Sequence, residues 1–62
     1  MRYIFKNRMI AAGASKKWEY LIISEGKVTE RFACEPIKAK ELMVLHNLTC
    51  ISYADCIRMK VF

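Results

Sequence analysis

The three cysteines and the single histidine of this sequence form a set with the chemistry of zinc ligands: Cys34, His46, Cys50 and Cys56. Three thiolates and one imidazole would satisfy a tetrahedral zinc ion. The four residues are separated by eleven, three and five positions, and no two cysteines form the CxxC pair with which zinc sites commonly begin. Cysteine is also among the residue types most often buried as a free thiol. We therefore predict buried thiols, with no metal site and no cofactor.

The titratable side chains argue against catalysis. General acid–base chemistry needs two such groups within reach of one substrate. The chain has a single His, a single Asp and five Glu residues, spread over predicted strands, turns and helix flanks. Gly13 and Gly26 are isolated, so the sequence has no glycine-rich loop of the kind that binds phosphate. We expect a protein that is not an enzyme.

Positive charge is concentrated at the N-terminal end. Five cations precede the first acid, Glu19, whereas the remainder of the chain carries six acids and six bases. These cations are Arg2, Lys6, Arg8, Lys16 and Lys17. We expect them to form one patch with Trp18 interleaved, because Lys6 and Arg8 share a face of the predicted first strand. The patch would bind phosphates or an acidic protein surface. The alternative is a solvated face that keeps an apolar domain soluble.

Three strands are predicted in the first half of the chain, over residues 2–12, 18–24 and 27–34. A loop over residues 13–17 joins the first two, and Glu25-Gly26 forms a two-residue hairpin turn between the second and the third. This turn sets the cross-strand pairs, which are Ile23 with Val28, Tyr20 with Arg31 and Trp18 with Ala33. Tyr20 and Arg31 would then form an exposed aromatic–cation contact beside the basic patch.

A helix is predicted over residues 37–46, with Pro36 in its first turn and Asn47 after its end. On a helical wheel the apolar residues Ile37, Val44, Leu45 and Leu48 cluster, and we expect them to face the core. Met43 points away from that cluster.

The C-terminal residues carry two conflicting signals. Residues 57–61 alternate between apolar and basic side chains, and Ile51 and Tyr53 extend this alternation backwards. Ser52 followed by Asp55 instead resembles the capping box that begins a helix. We expect a strand, because the alternation covers more residues. The predicted fold is α+β: a single domain, residues 1–62, with a small antiparallel sheet of about four strands in βββαβ order and one helix packed on one face.

Composition indicates association and an intracellular location. The hydrophobic share is 55%, which is more than a domain of 62 residues can bury. We expect an exposed apolar patch, and with it a homo-oligomer or a protein partner. The odd number of cysteines, the interrupted N-terminal apolar run and the short apolar segments predict a complete cytoplasmic protein without a signal peptide or a membrane span.

These features together predict a small binding protein that docks on a protein or nucleoprotein complex. In size and character the chain resembles phage-type inhibitors or adaptors that act on host nucleoprotein machinery, including the anti-CRISPR class. One alternative is a direct DNA- or RNA-binding regulator that uses the basic patch. Another is an oligomer that sequesters an anionic nucleotide between subunits. The predicted contact residues are Arg2, Lys6, Arg8, Lys16, Lys17, Trp18, Tyr20 and Arg31.

Overall fold

The computed structural model of the protein describes residues 1–14 and 16–62. Within these ranges the chain forms four strands and two helices in the order βββαβα. They are β1 (Arg2–Ala11), β2 (Lys17–Ser24), β3 (Lys27–Cys34), α1 (Pro36–Leu45), β4 (Thr49–Cys50) and α2 (Tyr53–Arg58). The α+β class, with a four-stranded sheet and one main helix, is confirmed. Of the predicted loop 13–17, Lys17 belongs to β2 and Ser15 lies outside the described residues.

The sheet has the order β3-β2-β1-β4. β1, β2 and β3 are antiparallel neighbours, whereas β4 pairs in parallel with β1 at Tyr3 and Ile4. The sheet is therefore mixed, because α1 carries the chain back to the far edge of β1. Since β4 covers only the beginning of β1, most of β1 and all of β3 remain sheet edges in the described part of the chain.

β2 is buried on both faces, and each face carries its own apolar cluster. The α1-side core contains Ile4, Tyr20, Ile22, Ala39 and Leu48. The α2-side core contains Phe5, Leu21, Ile23 and Cys56. An uninterrupted apolar run such as Tyr20–Ile23 is typical of a strand covered on both sides. The prediction of a helix on one face is correct for α1, and α2 covers the opposite face.

The predicted C-terminal strand is wrong, and the competing capping-box signal identified the true structure. Ser52 Oγ accepts a hydrogen bond from the Asp55 backbone N–H at 3.2 Å, and Asp55 Oδ2 accepts one from the Ser52 backbone N–H at 3.4 Å. Helix formation buries Cys56 completely in the α2-side core. The alternating pattern of residues 57–61 was misleading because α2 ends within it, with Lys60 in a left-handed turn at φ 60°.

The hairpin between β2 and β3 has the predicted two-residue turn. Glu25 and Gly26 both have positive φ, 53° and 77°, as a type I′ turn requires. The first predicted pair, Ile23 with Val28, is also correct.

Beyond that pair a bulge at Thr29 shifts the register by one residue. Tyr20 therefore faces Phe32, and their rings stack with centroids 5.9 Å apart. The predicted pairs of Tyr20 with Arg31 and of Trp18 with Ala33 are wrong. The shifted register is the favourable one, because without it Arg31 would lie opposite Tyr20 in the α1-side core.

Helix α1 has nearly the predicted bounds, but the side of the helix that faces the sheet is not the predicted one. Its end is as expected: Asn47 adopts φ 53°, and the Leu48 backbone N–H donates to the Met43 carbonyl at 2.8 Å, which is a Schellman motif. The predicted core residues Ile37, Val44 and Leu45 instead face solvent, 72%, 85% and 75% exposed.

The inward side of α1 contacts the sheet through smaller or more flexible residues. Ala39 is buried in the α1-side core, and Met43, which was predicted to point away, packs against that core. Apolar side chains lie on several sides of this helix, so the wheel alone does not decide which side is buried. Ala39 allows α1 to approach the sheet closely, and this contact sets the orientation. Neither α1 nor α2 is long and apolar enough to cross a bilayer.

Ser52→Ala tests the helical C-terminal segment. We expect a loss of about 1 kcal/mol in the free energy of unfolding, because the Asp55 backbone N–H loses its capping acceptor. Urea denaturation measures the change. Ser52→Asp keeps an acceptor at the same position and should retain most of the stability. Equal losses in the two variants would contradict the capping role.

Candidate binding surface

The far end of the first hairpin extends beyond both cores. We call residues 6–14 and 16–19 the arm. From Lys6 to Ala14 every residue is exposed, as are Lys16 and Lys17. The arm contributes to the elongated shape of the molecule, which measures 34 × 23 × 16 Å. Five of the eight predicted contact residues lie in it: Lys6, Arg8, Lys16, Lys17 and Trp18.

Two register shifts in β1 distribute the arm's cations over both faces of the sheet. They lie between Lys6 and Arg8 and between Met9 and Ala11. Because of the first shift, Lys6 pairs with Tyr20 and Arg8 pairs with Glu19, which are consecutive residues of β2. Consecutive strand residues point to opposite faces. The prediction that Lys6 and Arg8 share one face is therefore wrong.

On the α1 side, Lys6 lies over the indole of Trp18. The Lys6 Nζ atom is 4.1 Å from the ring centroid, which is a cation–π contact. Trp18 is half-buried and packs against the α1-side core. The indole thus anchors the base of the arm and holds one of its cations. Since Lys6 covers this ring face, base stacking on it would require Lys6 to move.

On the α2 side, Arg8 is held by a buried acid. The Arg8 Nε atom lies 3.5 Å from Glu19 Oε1, and Asn7 Nδ2 donates to the same oxygen at 2.7 Å. Glu19 is only 8% exposed. Sequence reasoning overlooked Asn7 and Glu19 as organisers of the arm. The sequence contains one signal for this role: Glu19 is a lone acid next to a basic segment, and a buried carboxylate needs a nearby partner.

The remaining predicted contact residues lie elsewhere. Arg2 is at the other end of β1, where its Nη2 donates to the His46 carbonyl at 3.3 Å. Tyr20 is buried, and burial raises the pKa of its phenol. Its side chain therefore cannot contact a partner. Arg31 is exposed on the edge strand β3 and pairs with Leu21. The residues that were predicted to form a single patch are thus divided, with five of them in the arm and the other three at separate positions.

The thiols belong to different parts of the fold. Cys34 packs against the α1-side core, and Cys56 lies in the α2-side core. Cys50 is exposed, so the prediction of buried thiols is wrong for this residue. Burial raises the pKa of both Cys34 and Cys56. Over residues 1–14 and 16–62, no three His, Cys, Asp or Glu side chains are arranged to hold a metal ion.

A shallow cleft of about 280 Å³ lies between α1 and the sheet. Its apolar lining comes from Ile22, Phe32, Leu42 and Leu48. Its polar residues are Arg2, Glu30 and His46. Because the Glu30 carboxylate offsets the Arg2 guanidinium, the charge of this cleft does not select for an anion such as a nucleotide.

No family model, curated protein or solved structure matches this chain. Functional inference therefore depends on the geometry and charge described above.

The separation of the thiols predicts an order of alkylation. With iodoacetamide at neutral pH, we expect Cys50 to react first and Cys56 only on unfolding, because burial blocks access and raises the Cys56 pKa. Cys34, which is half-buried, should react at an intermediate rate. Mass spectrometry of peptides over time measures the order, and Cys50→Ser should remove the fast phase. Rapid labelling of Cys56 in the folded protein would contradict the two-sided core.

Proposed function

We propose that the protein is a non-enzymatic binding protein that docks on a macromolecular partner, a protein or nucleoprotein complex, through its basic arm. The observation that carries this proposal is the charge of the arm. It holds Lys6, Arg8, Lys16 and Lys17 outside the core, and its one acid, Glu19, is buried and bound by Asn7 and Arg8. All four cations are exposed, and residues 6–14 and 16–19 contain no acid other than Glu19.

Cations on both faces of the sheet edge that β1 forms favour a partner that surrounds this edge. A groove or cleft with negative charge on two walls can contact Lys6 on one face and Arg8 on the other, whereas a flat surface contacts one face. Such charge complementarity accelerates encounter and sets orientation. Exposed Met9 and Ile10 add apolar contact area within the arm. These features fit a protein that acts by occupying a site.

In its specific form, the proposal is that the protein is a phage-type inhibitor or adaptor that acts on a host nucleoprotein complex. Small size and the basic arm support it. A cytoplasmic location stays a prediction.

Direct binding to DNA or RNA is the second candidate. It is favoured by the charge of the arm, because cations that neutralise phosphates supply most of the affinity of sequence-independent binding. If the four arm cations each neutralise one phosphate, the logarithm of the binding constant should fall with the logarithm of salt concentration at a slope of about −3 to −4. Titration of a fluorescent 20-base-pair duplex at several salt concentrations measures this slope. Absence of binding at low salt would eliminate direct duplex recognition and leave protein docking.

Charge reversal of the arm tests the proposed function. The variant Lys6→Glu/Lys16→Glu/Lys17→Glu leaves Arg8 in place, because removal of Arg8 would leave the buried Glu19 carboxylate without its ion-pair partner. We expect at least tenfold lower recovery of the native partner from nuclease-treated lysate, by quantitative mass spectrometry, because three cations of the contact surface become acids.

The matched control is Lys27→Glu/Arg31→Glu/Lys60→Glu, which has the same net charge but an intact arm. We expect it to recover the same partner as the wild-type protein. Circular dichroism checks that both variants are folded. If the arm variant retains its partner at the wild-type level, docking occurs elsewhere and the proposal is overturned. A partner lost on nuclease treatment of the wild-type sample would instead favour the nucleic-acid candidate.

A further inference from the structure

We infer that the open edge of β1 binds an extended acidic segment of a partner protein as an additional strand. One apolar side chain of that segment enters a pocket between this edge and α1. The segment belongs to the partner that the arm recognises, so the inference rests on the proposed function and makes its partner more specific. Three features meet at this place: a free strand edge, an apolar pocket beside it, and cations on both faces of the sheet.

β4 covers only the first part of the β1 edge. The Ile4 carbonyl accepts a hydrogen bond from the Ile51 backbone N–H at 3.1 Å, so the backbone polar groups of Ile4 face β4. Backbone groups of alternate strand residues face the same way, and those of Lys6 therefore point to the same side. After Ile51 the chain turns into α2, whose N-cap is Ser52. In the described part of the chain, no strand pairs with this side of β1 beyond Ile4.

An apolar pocket of about 150 Å³ adjoins the open edge on the α1 side. Lys6 of β1 and Cys50 of β4 line it, opposite Pro36, Lys40 and Met43 of α1. Residues that face each other across two strands direct their side chains to the same face of the sheet. The residue of an added strand opposite Lys6 would therefore direct its side chain to the α1 side, where the pocket lies. A cavity of this size accommodates a small hydrocarbon group, and thus one aliphatic side chain.

The charge around the edge selects an acidic segment. Lys6 and Lys40 line the pocket on the α1 side, and none of the described residues that line it is an acid. Arg8 lies on the α2 side, and its side chain is 69% exposed although its Nε contacts Glu19. Successive side chains of a strand point to opposite faces. Acids next to the apolar residue can therefore meet Arg8, and acids two positions away can meet Lys6 and Lys40.

The same cations disfavour a second copy of β1 as the added strand. Pairing of two such edges would bring the cations of two arms together, and charged side chains are a usual means of preventing edge-to-edge pairing. An acidic strand turns this repulsion into attraction. Main-chain hydrogen bonds then provide affinity, and pockets for alternate side chains provide specificity. A phosphate backbone offers negative charge, but it has neither an N–H donor for the outward carbonyl of Lys6 nor an aliphatic group for the pocket.

A synthetic peptide tests strand addition. The probe is a nine-residue peptide with blocked ends, with valine at its centre, glutamate at the two positions on either side and threonine at the remaining positions. Fluorescence anisotropy gives its dissociation constant, which we expect at roughly 10 to 100 µM, in the range of small, transient interfaces. With the site nearly saturated, hydrogen exchange of the Lys6 backbone amide should slow by about tenfold in NMR spectra, because this amide gains an acceptor. The amides of the other edge strand, β3, should keep their exchange rates.

Three altered peptides separate strand pairing from attraction by charge. Methylation of the valine N–H and methylation of both neighbouring glutamate N–H groups remove donors from opposite edges of the peptide. Only one of these two changes should weaken binding by about tenfold or more, because only one edge of the added strand faces β1. Replacement of valine by serine keeps the charge and should weaken binding roughly tenfold, because the pocket loses its apolar group. Equal dissociation constants for all four peptides would overturn the inference.

A variant of the pocket completes the test without altering the arm. Lys40→Glu should weaken binding of the valine peptide by roughly three- to tenfold, because an acid then faces the acidic segment. Lys27→Glu makes the same charge change at the distant hairpin turn and should stay within about twofold of wild type. Equal effects of the two variants would contradict binding at the pocket.

Failure of strand addition is distinguishable from failure of the proposed function. If the Lys6 amide stays unprotected by the peptide, while charge reversal of the arm still removes the native partner, strand addition is wrong and docking by the arm stands. If the peptide protects the Lys6 amide but the arm variant keeps its native partner, the edge binds acidic strands and the native partner docks elsewhere, which overturns both proposals.

Discussion

Burial of β2 on both faces is the constraint on which the rest of the structure depends. Leu21 and Ile23 lie in one core, and Tyr20 and Ile22 lie in the other. A chain of 62 residues has few elements with which to cover two faces, so each receives one short helix. Stability is therefore divided between two small clusters, and loss of either would expose one side of the central strand to water.

The same constraint determines which surfaces remain available for binding. The two cores occupy the half of β2 nearest the β2–β3 turn, so the arm extends past them and carries its cations into solvent. On the α1 side, a small residue, Ala39, makes the close contact with the sheet, and the larger Ile37, Val44 and Leu45 are directed outward. The basic arm and the exposed apolar side of α1 thus both follow from how the core is filled.

The elements that sequence predicted well have local causes. Glu25-Gly26 specifies its turn, Pro36 begins a helix, and Asn47 ends it in a left-handed conformation. The side of α1 that is buried, the bulge at Thr29 and the shift at Asn7 depend on contacts between elements, which no short pattern encodes. The C-terminal segment is an intermediate case, since Ser52 and Asp55 carried the correct local signal. The basic residues of the arm were identifiable by charge, but their distribution over two faces required the register.

The two surfaces differ in the range over which they act. Charges on the arm attract a partner across several ångströms, up to a Debye length of about 8 Å at physiological salt, but they discriminate poorly among acidic surfaces. The exposed apolar side of α1, which carries Ile37, Val44 and Leu45, acts only on contact and requires a matching shape. A partner that covered both surfaces would be attracted by the charges of the arm and selected by its contact with α1.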